Sequence, residues 1–354
     1  MTSPAGAFPT TPPGPPPLVS VIVVNWNGEA YLEECLASLA RQSYSDLEVI
    51  VVDNGSTDSS LALLRAAASE RVTVIEARRN LGFAGGNNLG IRAAMGTYVA
   101  LLNTDAVAEP GWVEALVRGA SADPRVGMCA SKIFLYGQPG VLDGAGLLIS
   151  ADGIGRGRGR LERDGPAFAR EEDVLLPSGC AALYRRAMLD EIGVFDEEFF
   201  AYCEDSDLGL RARIAGWRCR YVPEAVVYHR YSGSTAPYSA FKAFQVERNR
   251  IWVVAKCFPL RLLPASLLGT IARYALQAYG VLRGQGASAR FAEHVSWVTI
   301  LTVIIRAWVA ALAQLPLMLR RRRHVYALQR VSSREIVHWL RAHRVGLGEV
   351  ALKN

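Results

Sequence analysis

Thr97-Tyr98-Val99-Ala100-Leu101-Leu102-Asn103-Thr104-Asp105 is an apolar run that stops abruptly in three polar residues. A short apolar run of about four to eight residues bounded by polar ones is the pattern of a strand buried on both faces of a parallel sheet. Open α/β sheets bind ligands at the carboxyl ends of such strands. Asp105 therefore stands where a carboxylate can meet a cation and a phosphate. A plainer reading has Asn103, Thr104 and Asp105 only capping the next helix by local hydrogen bonds. The surrounding chain decides between the two.

Upstream, Leu18 to Val24 reads as a strand ending in Asn25-Trp26-Asn27-Gly28. A helix with Leu32, Leu36 and Leu39 on one face follows. Leu47 to Val52 is a second strand, ending in Asp53-Asn54-Gly55-Ser56-Thr57-Asp58. A helix over Ser59 to Ala68 and a short strand over Val72 to Ile75 come next. This β-α-β-α-β alternation predicts a doubly wound, mostly parallel sheet with its polar strand ends on one edge. Asp53 can accept from a ribose hydroxyl or a base N–H there, or simply start an Asp-Asn-Gly-Ser turn. The first strand is not followed by G-x-G-x-x-G, and no Walker A pattern occurs, so no glycine loop of those types holds phosphates. A divalent cation at Asp105 would neutralise them instead. In Arg79-Asn80-Leu81-Gly82-Phe83-Ala84-Gly85-Gly86-Asn87-Asn88-Leu89-Gly90, glycines permit close backbone approach to a ligand. Asn87 and Asn88 are expected at the start of a helix running to about Met95.

Four stretches in order carry a resemblance. They are Val19-Ser20-Val21-Ile22-Val23-Val24-Asn25-Trp26-Asn27, Val51-Val52-Asp53-Asn54-Gly55-Ser56-Thr57-Asp58, Asn80-Leu81-Gly82-Phe83-Ala84-Gly85-Gly86-Asn87 and Leu102-Asn103-Thr104-Asp105. Over roughly residues 18–235 the chain resembles the family 2 glycosyltransferases of GT-A fold, and within them the bacterial rhamnosyltransferase and galactofuranosyltransferase branch. The resemblance implies a Rossmann-like mixed α/β sheet, a nucleotide-diphosphate sugar donor, Mn²⁺ or Mg²⁺, and inversion at the anomeric carbon. It implies donor contacts at Asn25, Asn27, Asp53, Asn54, Asn80, Gly82, Asn87, Asn103 and Thr104. Asn103 stands where the family's D-x-D motif has its first Asp, which leaves Asp105 as the main metal ligand.

Further on, a helix is expected from Pro110, and strands over Val126 to Leu135 and Ser178 to Leu183. The Gly153-Ile154-Gly155-Arg156-Gly157-Arg158-Gly159-Arg160 segment reads as a mobile flap near the diphosphate or the acceptor, or as a solvated loop. Phe199-Phe200-Ala201-Tyr202-Cys203-Glu204-Asp205-Ser206-Asp207-Leu208 puts three acids at the start of a helix. Carboxylates there oppose the helix dipole, worth roughly 0.3–1 kcal/mol each. A third acid adds self-repulsion, and crowded carboxylates raise one pKa, which suits a base. By the resemblance, Asp205 is the catalytic base, Glu204 its neighbour in the catalytic pair, and Asp207 a cap or supporting group. Val226 to His229 is a short strand, and His229 falls where relatives complete the metal site. Mixed histidine and carboxylate ligation suits Mn²⁺ more than Mg²⁺.

The sequence of 354 residues is 51% hydrophobic, with a formal charge of +6. Its six cysteines form no C-x-x-C pair and read as reduced core residues. Residues 1–17, rich in proline and without a basic or apolar stretch, read as a disordered tail and not as a signal peptide. Residues 18–240 are expected to be the catalytic domain and 241–354 a helical, membrane-associated region. There, Leu260 to Leu282 is broken by Arg261, Pro264 and Arg273, and Val295 to Leu319 by Arg306 and Pro316. Neither is a clean span. Both read as interfacial helices, with Trp297, Trp308 and Arg320 to Arg323 near lipid headgroups. Nothing favours nucleic acid.

These features point to an inverting, metal-dependent transferase at the cytoplasmic face of the cell membrane. Rhamnose from dTDP-rhamnose is the first expectation for the donor, with a glycan or polyprenyl-linked acceptor; homo-oligomerisation is left open. The competing class is a catalytically silent protein of a glycan assembly complex, either nucleotide-sugar-binding or a scaffold. A nucleotidyltransferase would carry a glycine- and lysine-rich triphosphate loop after the first strand. A processive polymerase would carry clean membrane spans and a Q-x-x-R-W motif. Neither pattern is found.

Overall fold

In the computed structural model, which describes residues 16–230 and 239–353, the run Tyr98–Leu102 is a strand with every residue buried in the middle of a mixed sheet. The expected disordered tail falls almost wholly outside the described residues. In chain order come β1 (Val19–Asn25), α1 (Glu29–Ala40), β2 (Leu47–Asp53), α2 (Ser60–Ala67), β3 (Val72–Glu76), α3 (Gly82–Ala93), β4 (Tyr98–Leu102), β5 (Ala106–Ala108) and α4 (Trp112–Ser121). There follow β6 (Val126–Leu135), β7 (Leu142–Ala145), β8 (Leu147–Ile149), β9 (Gly155–Gly157), β10 (Glu172–Val174), β11 (Ala181–Arg185), α5 (Arg186–Ile192), α6 (Glu204–Ile214) and β12 (Arg218–His229). The main sheet runs β10-β12-β6-β11-β4-β1-β2-β3, with β5 beside β12 and β7 beside β6. β3, β2, β1 and β4 are parallel, and β11 runs antiparallel between β4 and β6. Helices cover both faces of the parallel part, which is why its strands read as unbroken Val, Ile and Leu runs.

Three elements differ from their sequence pattern. Helix α3 begins at Gly82, five residues before Asn87. Its glycines lower intrinsic propensity, but Gly86 and Gly90 let the helix sit directly on Val24 and Ile22 of β1. Strand β12 has twelve residues, not four, with its register against β6 shifted between Val222 and Val226. Pro223 lies in that gap, where a residue with no N–H is tolerated. The Gly153–Arg160 segment is a pinned hairpin of β8 and β9, not a solvated loop. Arg156 pairs with Glu349, Arg158 with Glu172 and Arg160 with Asp143.

The remaining helices are α7 (Ala240–Cys257), α8 (Leu263–Arg283), α9 (Gly286–His294), α10 (Trp297–Ala313), α11 (Leu315–Ala327), α12 (Ser333–Ala342) and α13 (Leu347–Leu352). Trp252, Val253 and Cys257 of α7 share one apolar cluster with Ile149, Leu176, Phe199 and Leu210. Arg273, which interrupts an apolar run in sequence, is buried and bonded to Asp152 (2.6 Å) and Glu247 (2.9 Å). Trp308 does not face outward as expected: its indole N–H donates to the Tyr274 hydroxyl at 2.7 Å. Of the basic block, Arg321 pairs with Asp196 and Glu198, and Arg322 donates to the Ala255 and Phe258 carbonyls. Only Arg320 and Arg323 of the block are exposed. Among the described residues no single helix is long and apolar enough to cross a membrane; α10 and α11 reach that length only together, bent by 56°.

Candidate active site

The site is assembled by strand register. β5 follows Asp105 directly and pairs antiparallel with the end of β12, setting Ala106 opposite His229. That pairing brings His229 Nε2 to 3.4 Å from Asp105 Oδ1. The other ring nitrogen, Nδ1, lies 2.7 Å from Asp143 Oδ2, on β7. The Asp143 carboxylate also pairs with Arg160. Burial works against protonating His229, but Cys180 and the two carboxylates Asp105 and Asp143 outweigh it and push its pKa well above the ordinary range. Burial raises Asp143, and His229 and Arg160 lower it further, for a net shift downward. Asp143 escaped the sequence reading, and Arg160 stood out only as part of the glycine-arginine segment. Asp143 is an isolated acid in a glycine-rich stretch, and only the pairing of β7 with β6 brings it beside the histidine.

The acid cluster opens α6, and the chain enters it strained. Phe200, Tyr202 and Cys203 have φ of 63°, 70° and 68°. Asn249 of α7 holds this segment, its side-chain amide donating to the carbonyls of Phe199, Ala201 and Tyr202 at 2.7–2.9 Å. Glu204 is buried and Asp205 half-buried, and the two are differently served. Asp205 receives the Gly179 N–H at 3.2 Å and the Ser206 N–H at 2.7 Å. Burial raises its pKa, and these hydrogen bonds oppose the rise. Glu204 Oε2 is buried with no hydrogen-bond partner among the described residues. Burial, and then the Asp205 charge, push Glu204 well above the carboxylate range. Asp207 is taken up by Arg211 and Lys256, 2.8 Å and 2.9 Å away, and stays low despite its burial.

On the third side, the Asn54 side chain donates to Asn80 Oδ1 and the Gly82 carbonyl and accepts from Leu81 N. This pins the entry to α3. Gly82 has φ +72°, and a Cβ there would overlap the Phe200 carbonyl oxygen. Thr104 Oγ1 donates to the Val24 carbonyl at 2.9 Å, tying the polar end of β4 to β1.

These groups surround one cleft of about 810 Å³, within the ~300–1,000 Å³ range of small-molecule sites. Its wall includes Asn54, Asn80, Gly82, Asn103, Thr104, Asp105, Glu204, Asp205 and His229, nine of the residues singled out from sequence. The structure does not bring Asn25, Asn27, Asp53 or Asn87 to that wall. Asn87 lies mid-helix and donates to the Phe83 carbonyl four residues back. Asn27 Oδ1 accepts from Thr57 N. Asn25 Nδ2 donates to Ser56 Oγ at 3.2 Å. Asp53 Oδ2 accepts from Ser56 N, while its buried Oδ1 has no partner among the described residues.

A divalent cation suits Asp105 and His229. The ring is oriented by a carboxylate on its far nitrogen, the usual support for a metal-ligating histidine. No group of three or more His, Cys, Asp or Glu side chains among the described residues is placed to hold a metal. Asp105 and His229 are thus the two side chains that would hold such an ion, leaving it open to a bound ligand.

Comparisons with known proteins give the family and the fold. The family model described as "Glycosyl transferase family 2" matches residues 20–193. An N-acetylglucosaminyl-diphospho-decaprenol L-rhamnosyltransferase of Mycobacterium tuberculosis is 31% identical over 245 residues, covering 62% of this chain and 78% of that one. This chain belongs to glycosyltransferase family 2. An uncharacterised glycosyltransferase of Haemophilus influenzae is 40% identical over 103 residues, 28% of this chain; the match spans only 32% of that protein's length. GalNAc-T7, solved with UDP, GalNAc and Mn²⁺, superposes with a TM-score of 0.57 at 17% identity, over 68% of this chain and 48% of that one. TarS of S. aureus (residues 1–349) gives 0.51 at 19% identity, over 92% and 91%. At these identities the likeness shows the fold, and it is the GT-A mixed sheet expected of the family. The chain is a glycosyltransferase by its family.

Proposed function

We propose that this family 2 enzyme is an inverting, metal-dependent transferase that moves a sugar from a nucleoside-diphosphate donor to a glycan or lipid-linked glycan. The observation that carries this reading is the meeting, in one cleft, of the Asp105–His229–Asp143 cluster with the Asp205–Glu204 pair. Asp205, held by two backbone N–H groups, accepts the proton of the acceptor hydroxyl. As that proton leaves, the hydroxyl oxygen bonds to the anomeric carbon, the bond from that carbon to the diphosphate breaks, and the nucleoside diphosphate departs with the electron pair. A single displacement inverts the centre. Glu204, kept protonated, adds no second charge to repel the ionised base. Asp105 and His229 would hold Mn²⁺ or Mg²⁺, which would offset the charge of the departing diphosphate. Asn54, Asn80 and the start of α3 form the nucleotide side of the cleft.

The Mycobacterium relative is named for rhamnosyl transfer to a diphospho-decaprenol acceptor. This supports rhamnose from dTDP-rhamnose as the first donor to try and a polyprenyl-linked acceptor. The test is a thermal-shift panel of nucleoside-diphosphate sugars with and without Mn²⁺. One donor is expected to stabilise the protein by about 2.7 kcal/mol at a hundred times its Kd, with Mn²⁺ present and not in Asp105→Ala. A folded protein that responds to no nucleotide sugar would favour the silent scaffold.

A further inference from the structure

The outer surfaces of α8 and α10 are unlike the rest of the molecule. Leu268 and Ile271 on α8, and Leu301, Ile305 and Val309 on α10, are 53–67% exposed and recur at helical spacing. Leu282, near the C-terminal end of α8, and Trp297, the first residue of α10, are 82% and 62% exposed. Apolar area arranged in stripes on this scale marks a contact surface. The inner faces are occupied. Ser266, Gly269, Thr270 and Arg273 of α8 and Ala307 and Ala311 of α10 are buried. A helix gripped by protein on one side cannot be ringed by lipid, but it can lie in a lipid surface on the other.

Charge identifies the occupant. Between residues 256 and 323, the exposed ionisable groups of unchanging sign are Arg261, Arg283, Arg290, Arg306, Arg320 and Arg323, against one acid, Glu293. A second copy of the chain, docked by symmetry, would bring the same positive sign against this surface. A bilayer containing anionic lipid matches both the apolar stripes and the excess of exposed arginines along this part of the chain. We propose that the outer faces of α8 and α10 dock on an anionic bilayer, in the plane of the headgroups.

The placement has a consequence for the cleft. Gly269 of α8 packs against Ala151, and Arg273 of α8 bonds to Asp152. These two residues root the hairpin whose Ile154, Gly155 and Gly157 line the cleft. The lipid surface then lies about one helix diameter, ~10–12 Å, from the root of the cleft wall. A polyprenyl-linked acceptor could present its glycan to Asp205 with its lipid still in the bilayer; this last step rests on the function proposed above, whereas the docking does not.

The test is co-sedimentation of the full chain with vesicles of phosphatidylcholine alone or mixed with phosphatidylglycerol. Binding is expected to the mixed vesicles, to fall with salt, and to weaken by about tenfold or more in Leu268→Glu/Ile305→Glu. Arg306→Glu/Arg320→Glu should lose the preference for phosphatidylglycerol. Melting curves verify that each variant folds. Absence of wild-type binding to both vesicles overturns the proposal. So does unchanged vesicle binding by Leu268→Glu/Ile305→Glu while light scattering shows it splitting a lipid-free oligomer, which would give this face to a second copy. Donor thermal shifts on the same proteins separate the two readings: vesicle binding without any donor response would keep the docking and remove the transferase.

Discussion

Asp205 and Glu204 are adjacent, yet the N–H groups of Gly179 and Ser206 reach only Asp205. Two N–H groups reach Asp205, and none of the described residues bonds Glu204 Oε2. Asp205 is therefore the group able to ionise and accept a proton, with its pKa above the usual ~3.9 of an aspartate. Because the base must be ionised, kcat/KM is expected to fall as pH drops through that raised pKa. An acid limb at or below ~3.9 would contradict the assignment. Glu204 makes a separate, signed prediction. Its folded pKa lies above the unfolded value of ~4.3, so in the interval between them the folded state holds a proton that the unfolded state has lost. Stability contributed by Glu204 is present below ~4.3 and is lost as pH rises through the folded pKa. Glu204→Gln should flatten the decline in Tm from pH 5 to pH 8; an unchanged slope would place the burden elsewhere. At this scale the sequence was legible where side chains sit at element ends. Asp105, Asp205 and His229 end a strand, open a helix and end a strand. Asp143 and Asn249 reach the site only through tertiary pairing, and no local spacing marks them. Asn87 was misplaced for the converse reason: its helix starts a turn and a half earlier than glycine propensity suggests.

Between elements, α7 does what the acid motif cannot do for itself. Three residues with positive φ precede Glu204, a conformation costing of order 1–3 kcal/mol each without outside support. The Asn249 amide meets three carbonyls of that segment, and Arg248 donates to the carbonyls of Glu198 and Phe199. Removing the amide leaves buried acceptors unmet. Asn249→Ala should cost about 1–3 kcal/mol in denaturant titration. With the base displaced, it should lower kcat by up to ~10²-fold at a temperature where the variant is folded. Donor KM should change little, because the nucleotide side is built from β2 and α3. A full kcat in the folded variant would reduce Asn249 to a packing residue. The Glu247-Arg248-Asn249-Arg250 stretch is visible in sequence only as a change of composition. Its meaning depends on facing the acid motif some fifty residues earlier, a relation no helical periodicity reports.

Across the whole molecule, the mixed sheet, the hairpin and α7 each give a wall of the same cleft. The sheet was readable because strands buried on both faces leave continuous apolar runs. The C-terminal helices were readable as amphipathic, but the direction of their polar residues was not. Arg273 was read as a break in an apolar stretch, and it is a buried tie between α8, α7 and the hairpin. The central claim is that Asp105 and His229, brought together by the β5–β12 pairing, mark where the diphosphate of a donor is held. It is tested most directly by anomalous diffraction at the manganese edge, on crystals grown with Mn²⁺ and the nucleoside diphosphate that gives the largest thermal shift. The account predicts a single strong peak contacting the Asp105 carboxylate and His229 Nε2, with diphosphate density beside it. A nucleotide bound in the cleft with no manganese peak at those two side chains, or a peak elsewhere, would contradict it.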